Sequence, residues 1–323
     1  MGKWVAVIAI LSIALSFPFK IFGLEEEPVY EEALADIVET AMEKTDTPGV
    51  SIAIVTEDGI SSYAYGYADR EQSNPVTPST AFEIGSMSKA FTALGILYLE
   101  QEGKLSLTDD LRQYIPWLSL RYEGQYKGSV IEGDVPVTIA NALYQTTGIP
   151  FESIGELPEG TSDHALEDTV RTLIGTELDF YPGTRYSYAT INYDILGFII
   201  EIVSGESYEA FLEKTILSPL GLTHTYARFG SMQENSELAV GYKREGLSAK
   251  RYDAPSYRGN TPAGYIVSTA EDMARWMQIQ MGMIQVEEPY ASLIEKSHMG
   301  NASVASTDGY LYGAGWSVQI RGE

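Results

Sequence analysis

The stretch from Phe82 to Leu99 constrains the fold most, because it joins a Ser-x-x-Lys motif to an apolar helix. Ser86 and Lys89 lie three positions apart, so on a helix their side chains share one face and come within hydrogen-bonding reach. Apolar residues follow the lysine at helical spacing, namely Ala90, Phe91, Ala93, Leu94, Leu97 and Tyr98. The stretch therefore predicts a buried helix that begins near Ser86.

This pairing has the chemistry of an activated nucleophile. A serine hydroxyl is a weak nucleophile until a neighbouring base takes its proton, and burial disfavours the ammonium form of a lysine, which lets it act as that base. The field of the helix N-terminus also favours an anion at Ser86. A Ser-x-x-Lys match occurs by chance about once in a chain of this length, so the motif gains its weight from the apolar helix behind it.

Composition excludes several classes of function. The 323 residues are 44% hydrophobic, which is enough for a sizeable core in one large domain or in two interleaved ones. The net charge of −24 repels nucleic acid, so no nucleic-acid partner is expected. The absence of cysteine excludes disulfides and thiolate chemistry. The three histidines are scattered and no glycine-rich phosphate loop precedes a helix, so we expect neither a metal nor another cofactor.

The N-terminal segment predicts the cellular compartment. Lys3 precedes a nearly continuous apolar run from Trp4 to Phe17, and an acidic segment begins at Glu25. Residues 1–24 are therefore predicted to be a secretory signal peptide, with an uncleaved N-terminal anchor as the alternative. We expect the protein to be exported, either extracellular or on the outer face of the cytoplasmic membrane. Membrane association would then come only through this segment.

The rest of the chain predicts a mixture of helices and strands. Residues 31–44 form an amphipathic pattern, and residues 49–56 and 60–68 read as two strands joined at Asp58-Gly59. Residues 116–182 show weak periodicity and many turn residues, which favours a helical, loop-rich region. Further elements are predicted as helices at 191–203, 208–217 and 269–283, and as strand at 310–320.

Four stretches together resemble one family. They are Ser86-Met87-Ser88-Lys89, Tyr188 with its neighbours, Leu143-Tyr144-Gln145-Thr146-Thr147-Gly148-Ile149-Pro150, and the segment from Pro262 to Met273. They resemble the serine β-lactamase-like hydrolases and are most similar to the class C β-lactamase group. That group also contains D-alanyl-D-alanine carboxypeptidases, D-aminopeptidases, esterases and acyltransferases. The resemblance covers about residue 30 to the end of the chain.

The resemblance implies an α/β fold of the α+β type, like that of the β-lactamases and transpeptidases. An antiparallel sheet would be flanked by helices, with a mainly helical domain inserted between its early and late strands. In this chain the domain would occupy residues 25–323. The sheet part would comprise about 30–85 and 265–323, and the helical part about 86–264.

The resemblance also implies roles for matched residues. Ser86 would be the acylated nucleophile, Lys89 its proton partner, and Tyr188 a second general acid or base. Thr190 and Gln145 are the candidate substrate-binding residues. The family usually has asparagine at the position of Thr190, whose hydroxyl can donate only one hydrogen bond. The family's common His-Thr-Ser-Gly is replaced by the stretch that begins at Gln145, an exchange that we interpret as structural.

One family motif is missing. A Lys-Thr-Gly or His-x-Gly strand normally follows a segment like Tyr312-Gly313-Ala314-Gly315-Trp316, but the sequence ends at Glu323 before it. We therefore expect the domain to be incomplete at its C-terminus and the chain to be the front part of a longer protein.

The predicted function is that of an exported serine hydrolase that forms an acyl-enzyme on Ser86. Its substrates would be D-amino-acid peptides of the peptidoglycan type or β-lactams. Two alternatives stay open at this point. One is an esterase or acyltransferase with the same site, and the other is a catalytically silent protein that binds muropeptides.

Overall fold

The computed structural model describes residues 27–227, 238–301, 304 and 310–319. The predicted signal peptide or anchor at 1–24 lies outside the described residues. Within the described part of the chain, no helix combines the length and the apolar character needed to cross a lipid bilayer.

Helices alternate with short strands along the chain. The helices are α1 (Glu27–Thr45), α2 (Ser88–Gln101), α3 (Ile139–Leu143), α4 (Ala165–Arg171), α5 (Ile191–Ser204), α6 (Tyr208–Leu212), α7 (Ser218–Leu220), α8 (Thr261–Gly264), α9 (Ala270–Gln280) and α10 (Tyr290–Ser297). A π-helical turn, Glu213–Leu217, joins α6 to α7. Short 3₁₀ turns include Gly85–Met87 directly before α2 and Arg258–Asn260 directly before α8.

The strands pair in small and mostly antiparallel sheets. They are β1 (Gly49–Thr56), β2 (Gly59–Asp69), β3 (Asn74–Pro75), β4 (Ala81–Glu83), β5 (Leu120–Tyr126), β6 (Ser129–Asp134), β7 (Thr176–Glu177), β8 (Tyr242–Glu245), β9 (Ser248–Arg251), β10 (Val267–Thr269), β11 (Tyr310–Tyr312) and β12 (Ser317–Gln319). Antiparallel partners include β1 with β2, β5 with β6, β8 with β9, and β11 with β12. β7 pairs with β5 in parallel.

The chain forms two compact units. The first contains the described residues of Met1–Ala81, Glu237–Ala254 and Thr269–Gln278. The second contains those of Phe82–Ser236, Pro255–Ser268 and Ile279–Glu323. All residues of the candidate site belong to the second unit. The division of the domain into a sheet part and a helical part stays a prediction.

The core of the second unit is built around α2. Nearly every residue of this helix is buried, as its continuous apolar sequence dictates. Gly95 lies at the contact with two neighbouring helices. A Cβ at this position would lie 3.0 Å from Ile200 Cδ1 of α5 and 3.2 Å from Phe211 Cε1 of α6. The small residue therefore lets three helices approach one another closely and fixes α2 in the interior.

Local sequence signals predicted several elements well. The β1–β2 hairpin forms as expected, with Glu57 and Asp58 in its turn and Gly59 paired with Thr56, and the helix expected at 191–203 is α5. Thr269 precedes α9 and its Oγ1 accepts a hydrogen bond from the Asp272 N–H, as predicted for an N-cap. The sequence analysis missed the β5–β6 hairpin, because residues 116–182 were interpreted as a helical, loop-rich region. It also missed α10 and the β8–β9 hairpin.

Candidate active site

Ser86 lies exposed in the 3₁₀ turn Gly85–Met87, immediately before α2. The predicted helix does begin near this residue, but its regular part starts at Ser88. The first N–H groups of a helix have no partner within it, and their field favours negative charge. An exposed hydroxyl at this position can be reached by a substrate and is placed to carry developing negative charge.

Lys89 lies in the first turn of α2 and only 1% of it is exposed. Its Nζ donates hydrogen bonds to Ser86 Oγ at 3.1 Å and to the Ala263 carbonyl oxygen of α8 at 2.6 Å. It also lies 5.1 Å from the centre of the Tyr188 ring and 5.8 Å from that of Tyr193. The Lys89 side chain is therefore enclosed by two aromatic rings, one carbonyl and the Ser86 hydroxyl.

Tyr188 comes from a part of the chain 102 residues away from the serine. Its hydroxyl donates to Ser86 Oγ at 2.9 Å. The structure thus brings Ser86, Lys89 and Tyr188 together, with both neighbours within hydrogen-bonding distance of Oγ. These are the three residues that the sequence analysis predicted to be catalytic. Their chemical roles stay predictions.

A second tyrosine, Tyr312, packs against Tyr188. The ring of Tyr312, in β11, packs edge-on against Tyr188 with 6.3 Å between ring centres. Burial raises the pKa of Tyr312 well above its usual value, the nearby Tyr188 adds to this effect, and the Tyr193 hydroxyl and the Gln145 amide oppose it. Tyr312 is therefore a neutral hydroxyl at ordinary pH, and it fixes the Tyr188 ring by packing.

The turn after Tyr312 is held directly against α2. Gly315 has a φ of +82°, and a Cβ there would lie 2.6 Å from Ala90 Cα. A glycine is required at this position both by the backbone conformation and by the close approach. The hairpin of β11 and β12 consequently reaches the residue next to Lys89.

Gln145 is completely buried behind the segment that carries Tyr188. Its Oε1 accepts from the Ala189 N–H at 3.0 Å and from Asn192 Nδ2 at 2.6 Å. Its backbone φ is +57°, a value that is uncommon for a residue other than glycine. In this arrangement Gln145 supports the backbone next to Tyr188. Its predicted role in substrate binding stays a prediction.

Thr190 lies two residues after Tyr188, at the position that precedes α5. It is 8% exposed, and its side chain makes no capping hydrogen bond to the helix. Its predicted contact with substrate likewise stays a prediction.

Asp194 and Asn260 form a buried polar cluster that the sequence patterns did not predict. Asp194 of α5 is completely buried, and its Oδ2 accepts from Asn260 Nδ2 at 2.5 Å. Asn260 leads into α8, whose Ala263 carbonyl receives the Lys89 hydrogen bond. The available signal was an acidic residue near the start of the mostly apolar run Ile191–Ser204, which carries a second one, Glu201, near its end. A charge inside a buried helix requires partners, although the sequence does not say which.

The geometry as a whole defines a class of site. An exposed serine hydroxyl lies within hydrogen-bonding distance of a buried lysine amine and a tyrosine hydroxyl, which meets the requirement of nucleophilic catalysis for a base within reach of the nucleophile. Comparison with known families gives the same class. The sequence model described as "Beta-lactamase" matches residues 34–323. The chain belongs to this beta-lactamase family, whose members are generally serine hydrolases.

Individual relatives agree at modest identity. Protein flp of Staphylococcus aureus (strain MRSA252) is 32% identical over 289 residues, which are 88% of this chain and 55% of that protein. The chain therefore spans about half the length of this relative. A beta-lactamase of Pseudomonas fluorescens is 28% identical over 286 residues, which are 87% of this chain and 72% of that protein.

Solved structures confirm the α+β fold class. The octameric penicillin-binding protein homologue from Pyrococcus abyssi superposes with a TM-score of 0.72 at 27% identity, covering 88% of this chain and 64% of that one. A class C beta-lactamase gives a TM-score of 0.70 at 25% identity, covering 88% of this chain and 73% of that one. The resemblance to the class C group, inferred from four motifs, is thus confirmed at the level of family and fold.

Proposed function

We propose that this protein is a serine hydrolase that forms an acyl-enzyme on Ser86 and acts on D-amino-acid peptides of the peptidoglycan type or on β-lactams. One observation carries the proposal: Ser86 Oγ lies 3.1 Å from Lys89 Nζ and 2.9 Å from the Tyr188 hydroxyl. The serine is exposed while the lysine is buried, so substrate can reach the nucleophile and water has little access to its base.

The proposed reaction has two halves. In the first, Ser86 Oγ attacks the substrate carbonyl and its proton passes to Lys89 Nζ, which must be an amine to receive it. A bond forms between Oγ and the carbonyl carbon, the carbonyl–nitrogen bond breaks, and the nitrogen takes a proton from Tyr188 or Lys89. The amine of a peptide then departs, whereas that of a β-lactam stays tethered to the acyl group. In the second, water attacks the acyl carbon and gives up a proton to the same pair. The bond between the carbonyl carbon and Oγ then breaks, and the pair returns the proton to Ser86 Oγ. The Ser86 N–H at the helix start can donate to the carbonyl oxygen as it becomes negative.

The substrate class rests on the family. A relative that carries the name beta-lactamase and a neighbour described as a penicillin-binding protein homologue both match most of this chain. β-lactams and peptides that end in D-alanine present a similar acyl group to a serine nucleophile. The proposed export of the protein rests on the pattern of residues 1–24, and we expect protease added to intact cells to cleave it.

An esterase or acyltransferase is the second candidate. The observation that favours it is Thr190, which stands where the family usually has asparagine. A hydroxyl donates one hydrogen bond and an amide donates two, so a substrate that carries an amide side chain would be held less well than a simple ester.

A panel of substrates tests these proposals. The purified protein is given a peptide that ends in D-alanyl-D-alanine, a chromogenic cephalosporin and a p-nitrophenyl ester, in wild-type form and as Ser86→Ala. We expect turnover of the first two and a loss of about a thousandfold or more in Ser86→Ala. Ser129→Ala, at the exposed first residue of β6, is the matched control and should retain full activity.

Each other outcome has a definite meaning. Turnover of the ester alone would contradict the proposed substrate class and favour the second candidate. Saturable binding of peptide without turnover or acylation would contradict hydrolysis altogether and favour a silent binding protein.

A further inference from the structure

Gln145 forms hydrogen bonds to the chain on both sides of Tyr188. Its backbone carbonyl oxygen accepts from the Ser187 N–H at 2.9 Å, and its side-chain Oε1 accepts from the Ala189 N–H at 3.0 Å. Ser187 and Ala189 directly precede and follow Tyr188 in the sequence. One residue therefore fixes the backbone both before and after Tyr188.

Neighbouring side chains hold the amide of Gln145 in place. Asn192, in the first turn of α5, donates from Nδ2 to Gln145 Oε1 at 2.6 Å. Thr147 Oγ1 in turn donates to Asn192 Oδ1 at 2.9 Å. Gln145, Asn192 and Thr147 have no exposure to solvent. Water therefore does not compete for these hydrogen bonds, and the amide is kept in the orientation that reaches Ala189.

The backbone of Gln145 has a conformation that few residues other than glycine adopt, with a φ of +57°. Such a conformation persists where the surrounding structure enforces it, and it occurs often at functional sites. The next residue is also held to the segment before Tyr188, because the Gly183 N–H donates to the Thr146 carbonyl at 2.8 Å. A glycine at position 145 would adopt this φ more easily, but it would lack the side-chain amide that reaches Ala189.

These hydrogen bonds restrict the position of the Tyr188 hydroxyl. That hydroxyl donates to Ser86 Oγ at 2.9 Å, and the Tyr188 ring packs edge-on against Tyr312. Only two side-chain torsions place a tyrosine ring relative to its backbone, so a fixed backbone and a packed ring leave the hydroxyl little freedom. Gln145 is itself completely buried, so it influences the reaction through the residues that it contacts.

We propose that Gln145 is a positioning residue for Tyr188: by holding the backbone on both sides of Tyr188, it keeps the phenolic hydroxyl within hydrogen-bonding distance of Ser86 Oγ. This inference rests on the proposed function, in which Tyr188 takes part in proton transfer during acyl transfer. It gives Gln145 a role other than the contact with substrate that the resemblance implies. Because a displacement of about 1 Å can cost about a hundredfold in rate, Gln145 should determine the rate of acylation and not the affinity for substrate.

The first variant is Gln145→Met, which keeps the length of the side chain but removes the acceptor for the Ala189 N–H. Acylation of Ser86 by benzylpenicillin is followed by intact mass over a range of penicillin concentrations. We expect the maximal acylation rate to fall about tenfold to a hundredfold, while the half-saturating concentration changes less than about threefold. Gln145→Gly removes the amide and relieves the strained φ, and it repeats the measurement if Gln145→Met does not fold.

A double-mutant cycle tests whether the effect passes through Tyr188. Tyr188→Phe keeps the ring and removes the hydroxyl. Gln145→Met should slow acylation about tenfold or more in the wild-type protein, but less than about twofold in Tyr188→Phe, because the group that it positions is already missing there. A general weakening of the fold would instead slow acylation equally in both proteins.

A further readout needs no acylation. The protein is labelled with ¹³Cζ-tyrosine, and the Tyr188 resonance is assigned by its loss in Tyr188→Phe. This resonance should move in Gln145→Met, because the hydroxyl changes its contact with Ser86. Thr147→Val is the matched control, since it removes a buried hydrogen bond to Asn192 but leaves both bonds of Gln145 to the chain around Tyr188. It should keep the wild-type acylation rate and the wild-type Tyr188 resonance.

The outcomes separate this inference from the proposed function. Equal losses of rate with and without the Tyr188 hydroxyl overturn the inference, as does a higher half-saturating concentration at an unchanged maximal rate, which indicates contact with substrate. If benzylpenicillin does not acylate Ser86 in wild type, the proposed function fails and the Tyr188 resonance decides the inference. A shift in Gln145→Met but not in Thr147→Val then supports it, and an unchanged resonance in the folded Gln145 variants overturns it.

Discussion

Lys89 Nζ lies 3.1 Å from Ser86 Oγ, although one residue is exposed and the other is almost completely buried. Solvent exposure falls from Ser86 to Lys89 within three residues, because Ser86 lies in the 3₁₀ turn and Lys89 lies in the first turn of α2. The exposed hydroxyl of Ser86, the proposed nucleophile, thus shares a hydrogen bond with the buried amine of Lys89, its proposed base.

Replacing Lys89 by methionine should abolish most acylation without unfolding the protein. Methionine fills a similar volume in buried surroundings and cannot accept the Ser86 proton. We expect the acylation rate to fall by about a hundredfold to ten-thousandfold. The rate is followed by intact mass after mixing with a β-lactam. Lys296→Met, which removes a half-exposed lysine paired with Glu100 at 2.5 Å, should acylate at the wild-type rate.

Replacing Gly315 by alanine should destabilise the protein. Its φ of +82° is unfavourable for alanine, and the new Cβ would lie 2.6 Å from Ala90 Cα. The strained backbone costs about 1 kcal/mol and the overpacking about 1–3 kcal/mol more. Gly282→Ala separates the two effects, since its φ is +71° and a Cβ there would meet no other atom. If urea unfolding gives both variants the same loss in the free energy of unfolding, a Cβ at position 315 does not clash with Ala90.

Replacing Arg258 by methionine should also destabilise the fold. Arg258 Nε donates to Glu209 Oε1 at 2.8 Å and Nη1 donates to Asp163 Oδ1 at 2.7 Å. The Glu209 side chain is only 8% exposed, so the variant leaves a buried carboxylate without its partner. We expect a loss of about 2–4 kcal/mol in the free energy of unfolding. Lys214→Met breaks the exposed pair with Glu206 and should cost less than about 1 kcal/mol.

The stability of the protein should depend on the protonation of His298. Burial lowers the pKa of this imidazole below its usual value of 6.5, and its Nε2 lies 2.8 Å from Gln280 Oε1. The unfolded chain therefore takes up the proton at a higher pH than the folded chain does. Stability should fall as the pH decreases from about 6.5 towards the lowered pKa of the folded state.

His298→Gln removes this contribution. Its free energy of unfolding should change less with pH in that window than the wild-type value does. The same slope in both proteins, measured by urea unfolding at several pH values, would show that His298 is protonated equally in the two states.

Local signals explain what the sequence could predict. The i, i+3 spacing of Ser86 and Lys89 is a property of any helix, so their contact needed no tertiary information. The Asp58-Gly59 pair likewise predicted the β1–β2 hairpin, which the structure has at 49–69 with Glu57 and Asp58 in the turn. Bringing Tyr188 to Ser86 depends on contacts across 102 residues, and only the resemblance to a family predicted it.

Other features lacked a local signal. In the β5–β6 hairpin, exposed and half-buried residues do alternate from Leu120 to Tyr126, but the strands contain few β-branched residues and several glycines. Its turn uses Lys127 at a φ of +47° and Gly128, a pair less typical than Asn-Gly. The hydrogen-bond partner of Asp194, Asn260, lies in the turn before α8, so no pattern within α5 could identify it.

The central claim is that Ser86 is the residue that becomes acylated. The most direct test incubates the protein with benzylpenicillin, an activated ester and a fluorophosphonate probe, measures the intact mass and maps the adduct by peptide sequencing. We predict one adduct per chain, located on the peptide that contains Ser86 and absent from Ser86→Ala. An adduct on a different residue, or no adduct with any of the three reagents on the folded protein, would contradict the account.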